Sequence, residues 1–214
     1  MKKTSLFFLM LIVVITGCGI WGIRGEGNLI EEKRDITSFN KINVAGAFTI
    51  DIIIKEKPSL SISAEENLLR YIKTEVKNGV LYIDTRKNIS PIRSIKIYIT
   101  TPQLNKIISS GANAIFVEGI NNENLDIDLS GAGEIKLKGK SQNLKLDLSG
   151  VGEVNAQQLN AESVIVRVSG AANAKVYASK YLKASVSGVG SVDFYGNPEK
   201  VVSDVSGVGS IHKR

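Results

Sequence analysis

The residues that could carry chemistry are two pairs of carboxylates, each separated by nineteen positions. Asp128 and Asp147 occupy equivalent places in two similar segments, and so do Glu134 and Glu153. If these segments stack like neighbouring β-strands, each pair is held roughly 5 Å apart, a separation that suits a glycosidase or a weak Ca²⁺ site. The competing interpretation is a solvated charged face on which Arg167 offsets Asp147. This second interpretation is favoured, because a glycosidase also needs a shaped cleft and the exposed faces lack an aromatic platform.

Nucleophilic and metal-dependent chemistry find less support. A serine recurs through the second half of the chain, but no base accompanies it, and the only histidine, His212, lies two residues from the end. A hydroxyl ladder that satisfies backbone groups of turns is the preferred interpretation of the serines. One cysteine and one histidine are too few for a Cys/His metal site, and no phosphate-binding glycine loop is present. We therefore expect no catalytic residue, no metal and no cofactor.

A Ser-Gly pair returns six times along the second half of the chain. The glycines are separated by 20, 19, 20, 18 and 19 residues, and they are Gly111, Gly131, Gly150, Gly170, Gly188 and Gly207. Apolar and polar residues alternate on both sides of each pair, as at residues 125–129 and 135–137. Such regularity is typical of a solenoid, so each unit is interpreted as two short strands joined by a glycine-rich turn.

Stacking these units predicts an all-β fold, a single-stranded parallel β-helix (β-solenoid) with Ser-Gly-x-Gly turns. A coil of about nineteen residues cannot close a core alone, but stacked coils bury a continuous column of aliphatic side chains. In each turn, the small apolar residue between two glycines is expected to point inward, and the glycines are expected to supply positive φ. Asn113 and Ala172 replace the second glycine, and the turn at Ala172 is expected to be adjusted or strained. The predicted turn-forming glycines are Gly131, Gly133, Gly150, Gly152, Gly170, Gly188, Gly190, Gly207 and Gly209.

Residues 1–17 are interpreted as a signal peptide. Two lysines precede an apolar run at residues 6–15, which is too short to span a bilayer comfortably. Residues 15–18, Ile-Thr-Gly-Cys, resemble the lipobox of bacterial lipoproteins. This resemblance implies cleavage before Cys18, diacylglycerol on its sulfur and acylation of its new amino group, with acyl chains such as palmitate. Because Cys18 is the only cysteine, no internal disulfide can explain it; a buried thiol within the leader is the alternative.

The remaining chain is interpreted as a tether followed by one domain. Glycines and a charge run at residues 31–35 predict a lipid-anchored tether over residues 18–38. Short alternating runs then predict an irregular all-β first half of a domain at residues 39–214, interrupted by helical spacing at residues 65–76. No Gly-Ser linker divides this domain, and it is long enough to bury one continuous core.

The charge balance is mildly basic. The chain carries a net charge of +6, which falls to +4 when Lys2 and Lys3 leave with the signal peptide. Nucleic acid is a poor partner for an exported lipoprotein, whereas anionic headgroups or acidic glycans are compatible with a basic surface. A diffuse positive face also serves solubility.

Several motifs in fixed order resemble those of the head GIN domain, a family of putative auto-transporter adhesins. They cover nearly all of the mature chain and comprise Gly25-Glu-Gly27, Arg34-Asp-Ile36, residues 39–46, residues 78–83, residues 101–107 and the Ser-Gly-Ala/Val-Gly series. The resemblance implies a right-handed parallel β-helix with glycine-centred turns, no recognised active site and a role in adhesion. The absence of aspartate after Cys18 is, by resemblance to Gram-negative lipoproteins, a sign of the outer membrane.

Together these observations predict a lipid-anchored protein of the cell envelope, held in the membrane by acyl chains on Cys18. Its solenoid would act as a non-enzymatic binding or adhesion module whose faces contact a glycan or a surface protein. Two alternatives stay open: a structural role in envelope assembly without an external ligand, and a carbohydrate-active enzyme that uses the carboxylate pairs. The chain ends in half a coil, so we expect this end either to pack against another subunit, as in a homo-oligomer, or to be protected by Lys213 and Arg214.

Overall fold

The structure is a computed structural model that describes residues 22–214, so the predicted signal peptide and Cys18 lie outside the described residues. Strands make up 73% of it, and the stacked parallel strands form a β-solenoid of about 5 turns. The elements in chain order are β1 Ile23–Arg24, β2 Leu29–Arg34, β3 Lys41–Gly46, β4 Thr49–Ile54, β5 Ser59–Glu65, α1 Glu66–Leu69, β6 Ile72–Lys77, β7 Val80–Thr85, β8 Ile89–Ser90, β9 Lys96–Thr101, β10 Lys106–Leu129, β11 Ala132–Leu148, β12 Val151–Val168, β13 Ala171–Val186, β14 Val189–Tyr195, β15 Lys200–Val205 and β16 Val208–Lys213.

The second half of the chain is a stack of parallel coils, which confirms the predicted fold. β10 pairs with β11, β11 with β12 and β12 with β13, all in parallel, and β13 then pairs with β14 and β15. β16 closes the series on β14. The register places equivalent residues of successive repeats directly over one another, as the spacing of the Ser-Gly pairs predicts.

The core is a set of aliphatic columns that runs the length of the stack. Leu125, Leu144, Val164 and Leu182 are paired in register from coil to coil, and each is at most 1% exposed. Burial of one such side chain contributes about 1.5–3 kcal/mol, and each coil supplies several of them. A single coil cannot bury this surface alone, so the stability of each coil depends on its neighbours.

The Ser-Gly corners join parallel neighbours rather than forming hairpin tips. The backbone N–H groups of Ser149 and Gly150 both donate to the carbonyl of Leu129, at 2.9 and 3.0 Å. The next N–H, that of Val151, donates to Gly131 O at 2.9 Å. The same pattern recurs at the corners of residues 169–171, 187–189 and 206–208. The inter-coil hydrogen bonds therefore continue through each corner without interruption.

The alternation of inward and outward residues also continues through the corner, which corrects one prediction. Leu148 and Gly150 are buried, whereas Ser149 and Val151 between and after them are exposed. The residue between the two glycines therefore points outward rather than inward, and Val151, Val189 and Val208 are 58%, 58% and 77% exposed. The glycine of the Ser-Gly pair, as at Gly150, therefore occupies an inward position.

Close approach between coils, more than positive φ, is what requires glycine at the corners. Among the first glycines of the Ser-Gly pairs only Gly111 has a positive φ, +85°. A Cβ placed at Gly131 would nevertheless overlap the carbonyl oxygen of Gly111, and one at Gly150 would overlap that of Gly131. At the second position, positive φ is found at Gly152 and Gly190. The column of glycines from the Ser-Gly pairs also extends one coil further towards the amino terminus than predicted, because Gly111 pairs with Gly46.

The two departures from the glycine pattern are accommodated without a left-handed residue. Within residues 22–214 the only residue other than glycine with positive φ is Asn78, so neither Asn113 nor Ala172 is left-handed. The turn at Ala172 is therefore adjusted, one of the two predicted alternatives, because Gly152 and Gly190, which pair with Ala172, do have positive φ. Ala172 is 1% exposed at an inward position where a methyl group fits. Asn113, 2% exposed, accepts a hydrogen bond from Phe48 N–H at 3.2 Å and donates to Ser110 O at 2.7 Å. Its amide therefore ties two coils together.

The first half adds coils in an order that differs from the chain order. β3 and β4 form a coil that pairs on one side with β10 and on the other with β7 and β9, all in parallel. Antiparallel strands β5 and β6 then cover β9 and β7. The predicted helical spacing at residues 65–76 yields one helical turn, α1, and continues as strand β6.

Part of the segment predicted as a tether is folded. β1 pairs with β8, and β2 pairs with β5 along the edge of the main sheet. Arg34 at the end of β2 adds side-chain hydrogen bonds that hold this charged segment against the fold. Its guanidinium donates to Leu69 O at 2.9 Å, to Ile72 O at 2.7 Å and to Thr74 Oγ1 at 3.0 Å. The folded body therefore includes residues before the predicted boundary at residue 39.

Candidate binding face

The four candidate carboxylates lie on outward positions of neighbouring coils. Asp128 pairs with Asp147 in the register of β10 and β11, and Glu134 pairs with Glu153 in that of β11 and β12. Arg167 pairs with Asp147 in the next coil, as the interpretation of these positions as a solvated charged face predicts. The depression beside Asp147 measures about 180 Å³, which is below the size of ordinary ligand sites. Glu134 borders a wider depression of about 610 Å³ next to Ile92 and Arg93.

Each carboxylate is paired with a cation, which weakens the case for a glycosidase. The contacts are Lys106–Asp128 at 2.7 Å, Lys145–Asp147 at 2.6 Å, Arg167–Asp147 at 3.3 Å, Lys136–Glu134 at 2.6 Å and Lys175–Glu153 at 2.8 Å. Partial burial acts to raise the pKa of Asp147, but hydrogen bonds and charges from Lys145 and Arg167 outweigh it and lower the pKa. A general acid needs a raised pKa, so Asp147 is suited to ion pairing rather than to proton donation.

The serine column supplies no nucleophile with a base. Ser110 Oγ donates to Val44 O at 3.2 Å and Ser130 Oγ to Ser109 O at 3.4 Å, as expected of hydroxyls that satisfy backbone groups. The serines of the later corners are exposed. His212 pairs in register with Asp193 and belongs to a different column. Among residues 22–214, no three Asp, Glu, His or Cys side chains are grouped so that they could hold a metal ion.

A concave polar face lies at the corner opposite the Ser-Gly turns, and its volume is in the range of ligand sites; we call it the amide face. It encloses about 850 Å³. Amide and hydroxyl side chains dominate its lining, which comprises Gln103, Asn105, Asn121, Asn122, Glu123, Asn124, Lys140, Ser141, Gln142, Asn160, Ala161, Glu162, Tyr177 and Ser179. These residues come from five successive levels of the stack, so the face runs along the solenoid axis over about 19 Å.

Two stacked columns build the amide face. The outward column contains Asn121, Lys140, Asn160 and Tyr177, which are paired in register. The inward column contains Asn122, Ser141, Ala161 and Ala178. Most of the inward residues are small, so the wall can approach the core more closely here than where leucine points inward.

Hydrogen bonds within the protein hold part of the amide face in place. Asn122 donates to Leu104 O at 2.7 Å and accepts from Ser141 Oγ at 2.8 Å. Asn143 donates to Asn124 Oδ1 at 3.1 Å, so the Nδ2 group of Asn124 is left for other acceptors. Asn105 also lines the face, and its Oδ1 atom is buried without a hydrogen-bond partner among the described residues. The Nδ2 group of Asn124, oriented by the hydrogen bond from Asn143, can bind a polar group at low cost in side-chain entropy.

The amide face is close to neutral and carries one aromatic ring. Glu162 pairs with Lys180 at 2.6 Å, and this hydrogen bond and charge raise the pKa of Lys180. Glu123 and Lys140 supply one charge of each sign. Tyr177, partly buried, forms one end of the face. The sequence predicted that the exposed faces lack an aromatic platform, and Tyr177 is a single aromatic ring that this prediction did not include.

Sequence analysis did not identify the amide face, although a signal exists. Polar clusters recur midway between the Ser-Gly pairs, at residues 121–124, 140–143 and 160–163. Counting from the Ser-Gly pairs does not align them, because the register shifts after residues 118, 136 and 156. A search for polar clusters at half the repeat would have found them.

Comparison with known proteins identifies relatives for nearly the whole folded body. The family described as putative auto-transporter adhesin, head GIN domain, matches residues 38–198. No match was found among the curated proteins. In the described part of the chain, no helix is long and apolar enough to cross a membrane.

Three solved structures share the fold. A putative adhesin from Bacteroides fragilis is 27% identical, with a TM-score of 0.74 over 90% of this chain and 100% of that one. A putative lipid binding protein from Parabacteroides distasonis is 20% identical, with a TM-score of 0.60 over 90% and 99% of the two chains. A putative adhesin from Parabacteroides merdae is 17% identical, with a TM-score of 0.51 over the same shares. The solenoid and the family match together lead to one conclusion: this chain belongs to the head GIN domain family of putative auto-transporter adhesins.

Proposed function

We propose that this protein is a lipid-anchored adhesion module of the cell envelope that binds its ligand through a face of the β-solenoid. The observation that carries the proposal is the amide face, a polar concave surface that extends over five levels of a rigid stack. The family match and the likeness to a putative adhesin of 27% identity support a binding role. The cationic partner of each candidate carboxylate supports a role that does not depend on catalysis.

Anchoring rests on Cys18 and the lipobox-like residues before it. Two or three acyl chains on one cysteine give stable rather than transient attachment to a membrane. The folded body begins by residue 23, so only a few residues separate the lipid from β1. The module would therefore be held close to the outer membrane of its Gram-negative host, with little reach.

Metabolic labelling tests the anchor. Cells that express the full chain are grown with an alkyne analogue of palmitate, and the label on the protein is measured after fractionation. The wild-type chain should carry the label and sediment with membranes, whereas Cys18→Ala should carry none and be released. Equal membrane association of both chains would refute lipid anchoring through Cys18.

Adhesion is tested with a deletion strain. Attachment of wild-type, deleted and complemented cells to a glycan-coated or epithelial surface is counted, and protease is added to intact cells to ask whether the module is reachable from outside. Loss of attachment on deletion, with restoration by the full chain, is expected. Unchanged attachment, or full protection from external protease, would refute a role in adhesion.

The exposed valines of the Ser-Gly corners favour assembly as a second function. Ala132, Val151, Ala171, Val189 and Val208 form one outward column along the stack. An apolar ridge of this kind suits contact between copies of the chain. Light scattering of the purified chain decides the matter, since a strict monomer at every concentration excludes this function.

A further inference from the structure

We infer that the amide face is a site for an uncharged glycan whose sugar residues lie along the solenoid axis. This inference rests on the proposed binding function and names the class of ligand. It starts from the repeat of the site itself. Equivalent positions of the outward column, Asn121, Lys140, Asn160 and Tyr177, recur at the spacing of one coil, ~4.8 Å. That spacing is close to the length of one pyranose unit, so successive coils can each present one polar side chain to a successive sugar.

The side chains of the amide face match sugar hydroxyls. An amide carries both donors and acceptors, as a hydroxyl does, so each can satisfy the other in more than one orientation. Asn121, Asn160 and Gln142 are exposed, and their side chains make no hydrogen bond to other described residues. They remain able to bind, whereas Asn122 and Asn143 are held by the protein. Tyr177 supplies a ring on which the apolar face of a sugar can rest.

The charges of the amide face argue against the acidic glycans considered from the sequence. Glu162 is paired with Lys180 at 2.6 Å, and Glu123 is present with Lys140. Among the described residues, Lys140 is the one cation that lines the face, and the two glutamates would repel a uronic acid or a sulfate. A folded protein partner fits less well, because specific protein interfaces have an apolar centre and the lining here is mainly amide and hydroxyl.

Binding of defined oligosaccharides tests the inference. The full chain in mild detergent is titrated by calorimetry with cellohexaose, mannohexaose and chitohexaose, and with hexagalacturonate as the charged comparison. We expect at least one neutral hexasaccharide to bind, with affinity that rises from the trisaccharide to the hexasaccharide. The affinity should change little between 50 and 500 mM NaCl, because few charges take part.

Matched variants assign the binding to the face. Asn121→Ala/Asn160→Ala removes two exposed amides and should weaken binding at least tenfold. Ser149→Ala/Ser169→Ala removes two exposed hydroxyls from the opposite corner and should leave affinity unchanged. Both variants should keep the wild-type melting temperature, which excludes loss of fold as the cause.

Four outcomes overturn the inference: no neutral hexasaccharide binds, hexagalacturonate binds more tightly than all of them, the Asn121/Asn160 variant keeps its affinity, or the Ser149/Ser169 variant loses as much. These outcomes are separable from failure of the proposed function. If the Asn121/Asn160 variant loses glycan binding but its cells attach normally, the face is a glycan site that adhesion does not use. If deletion of the chain leaves attachment unchanged, adhesion itself is refuted whatever the face binds.

Discussion

Replacement of Gly150 by alanine tests whether close contact between coils dictates the Ser-Gly corners. Gly150 lacks a positive φ, so alanine meets no conformational penalty of its own. The new Cβ would overlap Gly131 O and lie 2.7 Å from the carbonyl carbon of Ser130. These are backbone atoms, so the coils must move apart. Two hydrogen bonds cross this contact, from Gly150 to Leu129 and from Val151 to Gly131.

The expected magnitude follows from those two hydrogen bonds. Each contributes about 1 kcal/mol, and a buried group left without a partner costs about 1–3 kcal/mol. Gly150→Ala should therefore lower the free energy of unfolding by about 2–4 kcal/mol. The measurement is urea unfolding of a chain that begins at Gly22, monitored by circular dichroism.

Two control variants separate contact from conformation. Gly79 has φ +72°, but the nearest atom to an added Cβ is 3.6 Å away, so Gly79→Ala should cost only the ~1–2 kcal/mol of a left-handed alanine. Val151→Ala, at a 58% exposed position beside Gly150, should stay within about 0.5 kcal/mol of wild type. The reasoning is refuted if Gly150→Ala costs no more than Val151→Ala.

Three further predictions concern the charged groups. Arg34→Lys keeps the charge but loses the two guanidinium nitrogens that donate to carbonyl groups of α1 and β6. The free energy of unfolding should therefore fall by about 1–3 kcal/mol, and an unchanged urea midpoint would contradict this. Asp147 has a lowered pKa, so its stabilisation is complete above the unfolded value of ~3.9 and disappears as pH falls through the folded pKa. Asp147→Asn should therefore be less stable than wild type by ~0.5 kcal/mol at pH 7 and equal to it near pH 2, and a difference that persists in acid would contradict the ion-pair account. Glu65 Oε1 accepts the N–H groups of residues 92 and 93, so Glu65→Ala should speed cleavage by trypsin at Arg93, whereas an unchanged rate would show that the loop is held by other contacts.

The repeat spacing predicted the coils because stacking needs units of nearly the same length. Columns counted from the Ser-Gly pairs, such as Asp128 with Asp147, are therefore paired in the structure. The direction of the residue between the glycines could not be obtained in this way. Two glycines are compatible with either a reversal or a continuation of the strand, and only the inter-coil hydrogen bonds show that the strand continues.

The amide face escaped prediction for a different reason. Register shifts between the Ser-Gly corner and the opposite corner change the local count of residues, as between residues 156 and 160. Residues with the same offset from the glycine are then no longer stacked. The order of coils in the first half is equally hidden, since nothing local in β3 indicates which later strands will pair with its two edges. Tertiary pairing decides both features, so neither follows from the offset of a residue within its own repeat or strand.

The position of β3 and β4 between two later segments has a consequence for biogenesis. Both edges of this coil find their partners only after residues 80–118 have followed. Until then, a nascent or newly exported chain displays two unpaired strand edges rich in isoleucine and valine, which is a state prone to aggregation. The regular coils that follow β10 can be added one at a time towards the carboxyl terminus. The coil of β3 and β4 must instead form together with its later partners in a single cooperative event. Chaperones of the export route would therefore be needed most for the first hundred or so residues, and far less for the repeats that follow.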